Sequence, residues 1–508
     1  MLRAPLMAAA IAASLIGCTV AEAATTSLRT TFLLSRSADG AIPDGPSRNP
    51  AVSHDARIAR LMAYESDATN IVANDANGAT TDVFVVRRAP GWGQDGTPWV
   101  IGSTELVSVA ADGGPANGPS SLPQLDGDSH HAPHCVAFIS AASNLVADDT
   151  NGVPDAFVRD LNTGTTVRVS VATNGAQANG PTTDVSIDGA CERVAFTSTA
   201  TNLARTAQAA KTGKRAWRSA RTSQTPGSTR QVYVRILSGE GHDRGFSGLT
   251  FLASASDKGQ AANADSYEPA ISRAGKAVVF TSAATNLDRG DRSPGSDIYR
   301  RTFQRTFKHL GHGKGMQSLR FATDLVSATT SGRAGNGPSQ HPQITDDARY
   351  VSYETVADNL LAGDSNGVSD IAEADMRGKH PKQTWVSKSA HTSIGNGGSF
   401  NSSMSDAGEF VLFESDATNL KPSASVRDDA NGVRDVFLWN RPTGNVSLES
   451  RNSANGYLTS PSSGPATSSR GNYVPFINQS AGLDLPLIAA IGIQADQQLV
   501  YVRYLGPK

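Results

Sequence analysis

Three cysteines in 508 residues are too few for a disulfide-stapled scaffold, and 45 Lys and Arg against 47 Asp and Glu leave almost no surplus charge. Near neutrality removes any global argument for nucleic acid as a partner, so charge has to be read locally. Apart from Ala4–Ile16, which follows Arg3, no stretch reads as a membrane helix. That segment is too short to span a bilayer but has the length of a secretory h-region. No Gly-x-Ser-x-Gly nucleophile elbow is present. His130, His131 and His134 crowd into one turn, without the helical spacing or the distant carboxylate of a zinc hydrolase. No catalytic residue is therefore nominated.

Two processing sites compete at the N-terminus. Ala21-Glu22-Ala23 fits a small-x-small cleavage site, giving a signal peptide over 1–23, whereas Leu15-Ile16-Gly17-Cys18 matches a lipobox with Cys18 as the lipidated residue. The expected location is periplasmic or envelope-associated, lipid-anchored at Cys18, or otherwise secreted. An oxidising compartment permits Cys135 and Cys191 to pair. They precede Phe138 and Phe196 by three and five residues, with equal strand parity in successive units. A disulfide between those units and two buried thiols both remain open.

What the chain has in abundance is turn formers, with 48 Gly and 25 Pro, and a repeat. AFISAASNL at Ala137 recurs as AYESDATNI at Ala63, AFTSTATNL at Ala195, VFTSAATNL at Val279, SYETVADNL at Ser352 and LFESDATNL at Leu412. A degenerate seventh copy, PFINQSAGL, starts at Pro475. The aromatic anchors Tyr64, Phe138, Phe196, Phe280, Tyr353, Phe413 and Phe476 are 74, 58, 84, 73, 60 and 63 residues apart, the length of a four-stranded blade with generous loops. Each unit reads as a strand ending in Ser or Thr (Ser53, Ser186, Ser272, Thr345, Ser405, Ser468), a turn, and the aromatic strand. A third strand such as Asp82-Val83-Phe84-Val85 follows, then a fourth such as Val167-Arg168-Val169-Ser170.

The last unit ends without a fourth strand, while Thr31-Phe32-Leu33-Leu34-Ser35 precedes the first complete unit and has the fourth-strand pattern. The fold expected is all-β: one seven-bladed propeller of four-stranded antiparallel blades over 24–508, closed by the N-terminal strand, with six blades as the alternative count. Blades fall near 40–110, 111–172, 173–256, 257–329, 330–390, 391–452, and 453–508 plus 25–37.

The turns Ser186 to Gly189, Ser272 to Gly275 and Ser405 to Gly408, with Asp-Val-Phe-like openings of the next strand, make the chain resemble the TolB-like, WD-repeat-like bacterial propellers. The resemblance implies a non-catalytic extracytoplasmic binding or scaffold protein, monomeric, that engages an envelope protein or glycan through one face and touches membrane only through a lipid anchor. A carbohydrate-active hydrolase or lyase, or a calcium-dependent structural or adhesive envelope protein, are the alternatives.

Strand alternation places the loop between second and third strands on the same face as the loop entering the next blade. The first carries Asp75, Asn77 and Asp82; Asp149, Asn151 and Asp155; Asp364, Asn366 and Asp370; and Asp429, Asn431 and Asp435. Oxygens at this spacing around a Gly suit calcium, and equally an Asx-capped turn. The second loop places Asp44, Asn117, Asn179, Asn263, Asn336, Asn396 and Asn455 just ahead of the innermost strands, where they could ring the channel mouth as ligand-binding residues or simply build turns. The third unit replaces its Asp-x-Asn-Gly turn with a basic insertion carrying Arg205, Lys211, Lys214, Arg215, Arg218, Arg221 and Arg230. Another basic stretch, Arg300, Arg301, Arg305, Lys308, Lys314 and Arg320 with His309 and His312, belongs on the opposite face. Either could meet an anionic glycan or headgroup, or be a solvated insertion.

Overall fold

The computed structural model describes residues 29–506 apart from 56–57, 91–98, 205–228, 238–245, 294, 310–314, 390–393, 421–428, 430 and 480–496. The apolar N-terminal segment read as a secretory signal, Cys18, most of the basic insertion, His312, Lys314, and the side chains of Arg305, Lys308 and His309 lie outside the described residues.

The strands form seven four-stranded antiparallel sheets. Blade 1 runs from the inner strand Ser47–Val52 through Leu61–Ser66 and Asp82–Arg88 to the outer strand Ile101–Leu106. The same order begins at Ser120–Leu125, Thr182–Ile187, Ser266–Ile271, Ser339–Ile344 and Ser399–Met404 in blades 2 to 6. Blade 7 contains Ser462–Ser463, Tyr473–Asn478 and Leu499–Tyr504, and its outer strand is Thr30–Leu33, with Leu33 opposite Tyr501. No helix among the described residues is long and apolar enough to cross a membrane.

Each blade is sandwiched between two others, so both faces of its middle strands are covered. Leu61–Ser66, Cys135–Ser140, Ala277–Ser282 and Phe410–Ser415 are buried at every residue. The repeated aromatic lies directly opposite the aromatic of the third strand, as with Tyr64 on Phe84 (centroids 5.8 Å), Phe138 on Phe157 (5.9 Å) and Phe413 on Phe437 (5.8 Å). Such cross-strand pairs contribute roughly 0.5–1.5 kcal/mol beyond the area they bury.

The inner strands of blades 1 to 6 tolerate proline because each is an edge with a bulge. Asn49, Leu122, Glu268, His341 and Asn401 have φ between 48 and 55°, and four of these five precede a proline: Pro50, Pro123, Pro269 and Pro342. The bulge interrupts the ladder where proline has no N–H to donate.

The blades are stitched together by one repeated backbone contact. The N–H of the first inner-strand residue donates to the carbonyl just before the third strand of the preceding blade: Ser120 to Thr81, Thr182 to Pro154, Ser266 to Arg230, Ser339 to Ser296, Ser399 to Ser369 and Ser462 to Arg434, all at 2.8–2.9 Å. Ser47 to Gln498, at 2.8 Å, makes the seventh bond and joins blade 1 to blade 7.

Two details differ from the pattern expected of the sequence. In blade 3 the residue just past the inner strand is Asp188, whose N–H bonds Arg193 O as Ser272 N–H bonds Ala277 O; Ser186 lies inside the strand opposite Ala195. Cys191, at φ 56°, then occupies the left-handed position held in blade 4 by Gly275 at φ 62°. The outer strands also stop before their conserved-looking serines, at Leu106, Arg168, Leu325 and Leu448, which frees Ser108, Ser170, Ser327 and Ser450 to turn inward.

Removing residues 25–37 deletes the outer strand of blade 7, including the fully buried Leu33 and Leu34. Each leucine contributes roughly 1.5–3 kcal/mol. The truncated ring is expected to lose at least ~3 kcal/mol in urea unfolding, and an unchanged transition contradicts closure by this strand.

Candidate functional site

The inner strands run from an upper face, where both patterned loops emerge, to a lower face. On the upper face, Asn117, Asn179, Asn263, Asn336 and Asn396 make one shared contact. Asn117 N–H donates to Asn144 Oδ1 at 3.0 Å, its Nδ2 donates to Ser143 Oγ, and its Oδ1 accepts the Ser143 N–H. Asn179 with Asn202 and Thr201, and Asn396 with Asn419 and Thr418, repeat it. Asn263 and Asn336 do the same with Asn286 and Asn359. Asp44 accepts both the N–H and the hydroxyl of Thr69, at 2.7 and 2.6 Å. Asn455 has φ 64° and accepts Arg503 Nη2 at 2.8 Å. None of these seven residues lines the axial cavity. The five asparagines and Asp44 thus tie adjoining loops of the upper face together, whereas Asn455 bonds the third strand of blade 7.

The Asp-x-Asn-Gly turns build a second recurrent network. Asp82 accepts Asn77 Nδ2 at 2.7 Å and Ser108 Oγ at 2.5 Å. Asp155 takes Asn151 and Ser170, Asp370 takes Asn366 and Ser387, and Asp435 takes Asn431 and Ser450. The donor to each buried carboxylate is thus an amide and a hydroxyl of the same blade. Blade 4 keeps the device with Ser293 and Ser327 on Asp297, although its turn lacks the motif.

Around the upper mouth, the second inner-strand residues are the informative ones. Tyr267 lies beneath Arg230 at 4.2 Å and Phe400 beneath Arg434 at 4.5 Å. Each guanidinium is also held by a carboxylate: Arg230 by Asp265 at 3.0 Å and Arg434 by both oxygens of Asp416 at 2.9 Å. Arg48, at the equivalent inner-strand position of blade 1, grips Asp67 with two 3.0 Å bonds and Glu65 with one of 2.9 Å.

The lower end carries a constellation that the repeat alignment did not single out. A cavity of about 170 Å³ runs along the axis, lined by residues of all seven blades: the inner strands of blades 1 to 6 and, in blade 7, Pro465, Ala466 and Thr467 just past its short inner strand. At its lower end the residues following the strand termini converge, among them His54, Arg273, Asp346 and Asp406. Arg273 reaches past blade 3 to donate to Leu125 O of blade 2 at 2.6 Å. Four carboxylates, Asp406, Asp126, Asp188 and Asp346, act on its charge while burial lowers its affinity for the proton. His54 contacts Asp406 at 2.5 Å across the position of blade 7. Burial, reinforced by Arg273, holds His54 below the ordinary imidazole value, so it is neutral at pH 7 and donates Nδ1–H to the acceptor-only carboxylate. Gly127 and Gly189 allow the blades to close here: a Cβ on Gly189 would stand 2.6 Å from Asp128 Cβ. A signal was available, since this position reads His54, Gly127, Gly189, Arg273, Asp346, Asp406 and Ser469 through the seven units, with one cation among acids and glycines.

The histidine turn is also on the lower face. His134 pairs with buried Asp126 at 3.0 Å and His131 with Asp128 at 3.0 Å, while His130 meets Ser129. Cys135 and Cys191 are joined in a disulfide between blades 2 and 3 beside Asp126 and His134, so their sulfurs are not thiolate ligands. Of the basic stretch, Arg300 pairs with Asp324 at 2.7 Å, and Arg301, 2% exposed, bonds the carbonyls of Ala255 and Ser256. These two arginines are structural.

Burial raises Asp55 and Asp188 to about 6, and Asp297 and Glu373 to about 7. The folded chain keeps protons on these groups that an unfolded chain releases above about pH 4, so stability falls as pH rises from ~4 to ~7. The hydrogen bond to Asp126 raises His134 to about 9, a contribution fully present below about 6.5 and lost as pH rises through 9. Both effects have the same sign. The melting temperature is expected to be highest near pH ~4 and to decline towards pH 9, with His134→Gln flattening the alkaline part; a midpoint rising from pH 5 to 8 contradicts this.

No family model matches the chain, and no curated protein matches it. Among solved structures, it is similar to TolB from Acinetobacter baumannii (10% identity, 78% of this chain and 82% of that chain, TM-score 0.32). It is also similar to a TolB from Agrobacterium tumefaciens (13%, 79% and 94%, 0.34) and to oligogalacturonate lyase from Vibrio parahaemolyticus (9%, 94% and 97%, 0.44). At such identities and TM-scores the architecture rests on the seven sheets themselves, and they make this chain a seven-bladed β-propeller.

Proposed function

We propose that this propeller is an exported, non-catalytic binding or scaffold protein that presents its upper face to a protein or glycan of the cell envelope. The observation that carries the reading is the upper mouth. Arg48, Arg230 and Arg434 are fixed by carboxylates, and two of them stack on Tyr267 and Phe400. Arginine and aromatic side chains dominate binding hot spots, and side chains already immobilised lose little entropy when a partner arrives. The Asn staples behind them extend that rigidity to the loops. Export is supported by the Ala4–Ile16 segment and by the Cys135–Cys191 disulfide.

A second reading, a carbohydrate-active hydrolase or lyase, draws on the lower cluster, where a neutral His54 sits on Asp406 beside Arg273 and could exchange protons. A cavity of about 170 Å³ holds a few waters or a small polar molecule, well below the ~300 Å³ at which ligand pockets begin. The size favours the binding reading.

Retention of the mature protein's partner from envelope fractions is expected to fall at least ~30-fold in the Tyr267→Ala, Phe400→Ala double variant, the loss of a hot spot, and to survive His54→Gln. Retention indifferent to the upper-face change, or turnover of glycans abolished by His54→Gln, contradicts the proposal.

A further inference from the structure

The turn before the third strand of blade 1 departs from its siblings. In blades 2, 5 and 6 the amide oxygens of Asn151, Asn366 and Asn431 accept the backbone N–H of the valine two residues on, at 3.3, 3.0 and 3.3 Å. Blade 1 has Ala79 at that place, and Asn77 Oδ1 is buried without a hydrogen-bond partner. Both carboxylate oxygens of Asp75, a residue 9% exposed, are buried without a partner as well. The Asn77 N–H lies near Asp75 but outside hydrogen-bond geometry. Three acceptor oxygens on residues two apart therefore stand in one turn with no donor, and the negative charge of buried Asp82 acts on them from beneath. An unpaired buried carboxylate costs free energy on folding unless something neutralises it.

Blade 2 contains its own neutralising group. Arg168 extends under the corresponding turn, with Nη2 3.5 Å from Asp149 Oδ1 and Nε 3.8 Å from Asp155 Oδ2. Arg168 is the residue opposite Phe157 in the outer strand; opposite Phe84, blade 1 has Leu106. Among the described residues, no Lys, Arg or His forms an ion pair with Asp75 or Asp82. The same fold position thus carries a guanidinium in one blade and an apolar side chain beneath uncompensated acids in its neighbour.

We propose that the blade 1 turn binds a hard divalent cation, calcium in an exported protein, through the Asp75 carboxylate and Asn77 Oδ1, and that Arg168 does the cation's work in blade 2. Asp82 contributes charge while remaining bonded to Asn77 Nδ2 and Ser108, and water completes the coordination. Oxygen-only donors and a flexible turn suit calcium better than magnesium, which demands tighter octahedral geometry. With so few protein ligands the affinity belongs with extracellular calcium modules, a dissociation constant of about 10⁻⁴–10⁻³ M. This inference is independent of what binds the upper mouth.

The test is a calcium titration of the mature, chelator-treated chain, followed by melting temperature and by calorimetry. The wild type is expected to melt higher as calcium is added, with a smaller response to equal magnesium. Asp75→Asn should abolish the response, yet melt no lower than the wild type in chelator, because it removes a buried charge. Leu106→Arg should also abolish it by supplying blade 1 with the cation of blade 2, whereas Asp149→Asn should leave it intact. A wild-type transition identical in calcium and chelator overturns the proposal, as does an undiminished response in Asp75→Asn. Should Leu106→Arg fail to fold, Asp75→Asn decides alone.

Discussion

The seven hydrogen bonds between inner-strand amides and the carbonyls of the preceding blades are the constraint on which the rest of this molecule depends. Each fixes the start of one inner strand against its neighbour at 2.8–2.9 Å, and the bond from Ser47 to Gln498 makes the series a closed loop. A closed ring exposes no sheet edge between its ends, which matters for a protein built entirely of strands. All seven inner strands open with Ser or Thr, at 47, 120, 182, 266, 339, 399 and 462. Where the second strand ends in Ser or Thr, that hydroxyl can meet the first, as Ser47 meets Ser66 and Ser120 meets Ser140.

With the upper ends tied, the lower ends are free to converge. Small residues at Gly127 and Gly189 bring blades 2 and 3 together, and Arg273 spans the gap they leave. The single guanidinium of Arg273 faces four carboxylates there, and burial raises Asp188 among them to about 6. The two ends of one channel consequently have different characters: a preorganised arginine and aromatic rim above, and a buried cluster of carboxylates around Arg273 below. Calcium in blade 1 would act on the first of these, by stiffening a loop of the upper face.

The architecture was legible because it follows from periodicity. The aromatic anchors, the Asp-Val-Phe strand openings and the stray strand at Thr31 each report a local requirement that repeats, and repetition exposes it. Blade 3 departs from the repeat: Asp188 stands where blade 4 has Ser272, so Ser186 falls inside the strand two residues earlier. The candidate sites were less legible. Asn117 and its counterparts could be read either as a ring of ligands or as turn builders; their amides bond Asn144, Ser143 and the equivalent residues, a pairing set by loop geometry that composition does not reveal. His54, Arg273 and Asp406 lie hundreds of residues apart, and only the closed ring brings them within reach. Arg168 looked like one more strand residue until the turn above it was in place.

The most direct measurement of ring closure is native-state hydrogen exchange at the seven inner-strand amides of Ser47, Ser120, Thr182, Ser266, Ser339, Ser399 and Ser462. If the loop is closed as described, Ser47 exchanges as slowly as the other six and all seven open only with global unfolding. Rapid exchange at Ser47 while the remaining six stay protected would show a ring open between blades 7 and 1, and would contradict the account.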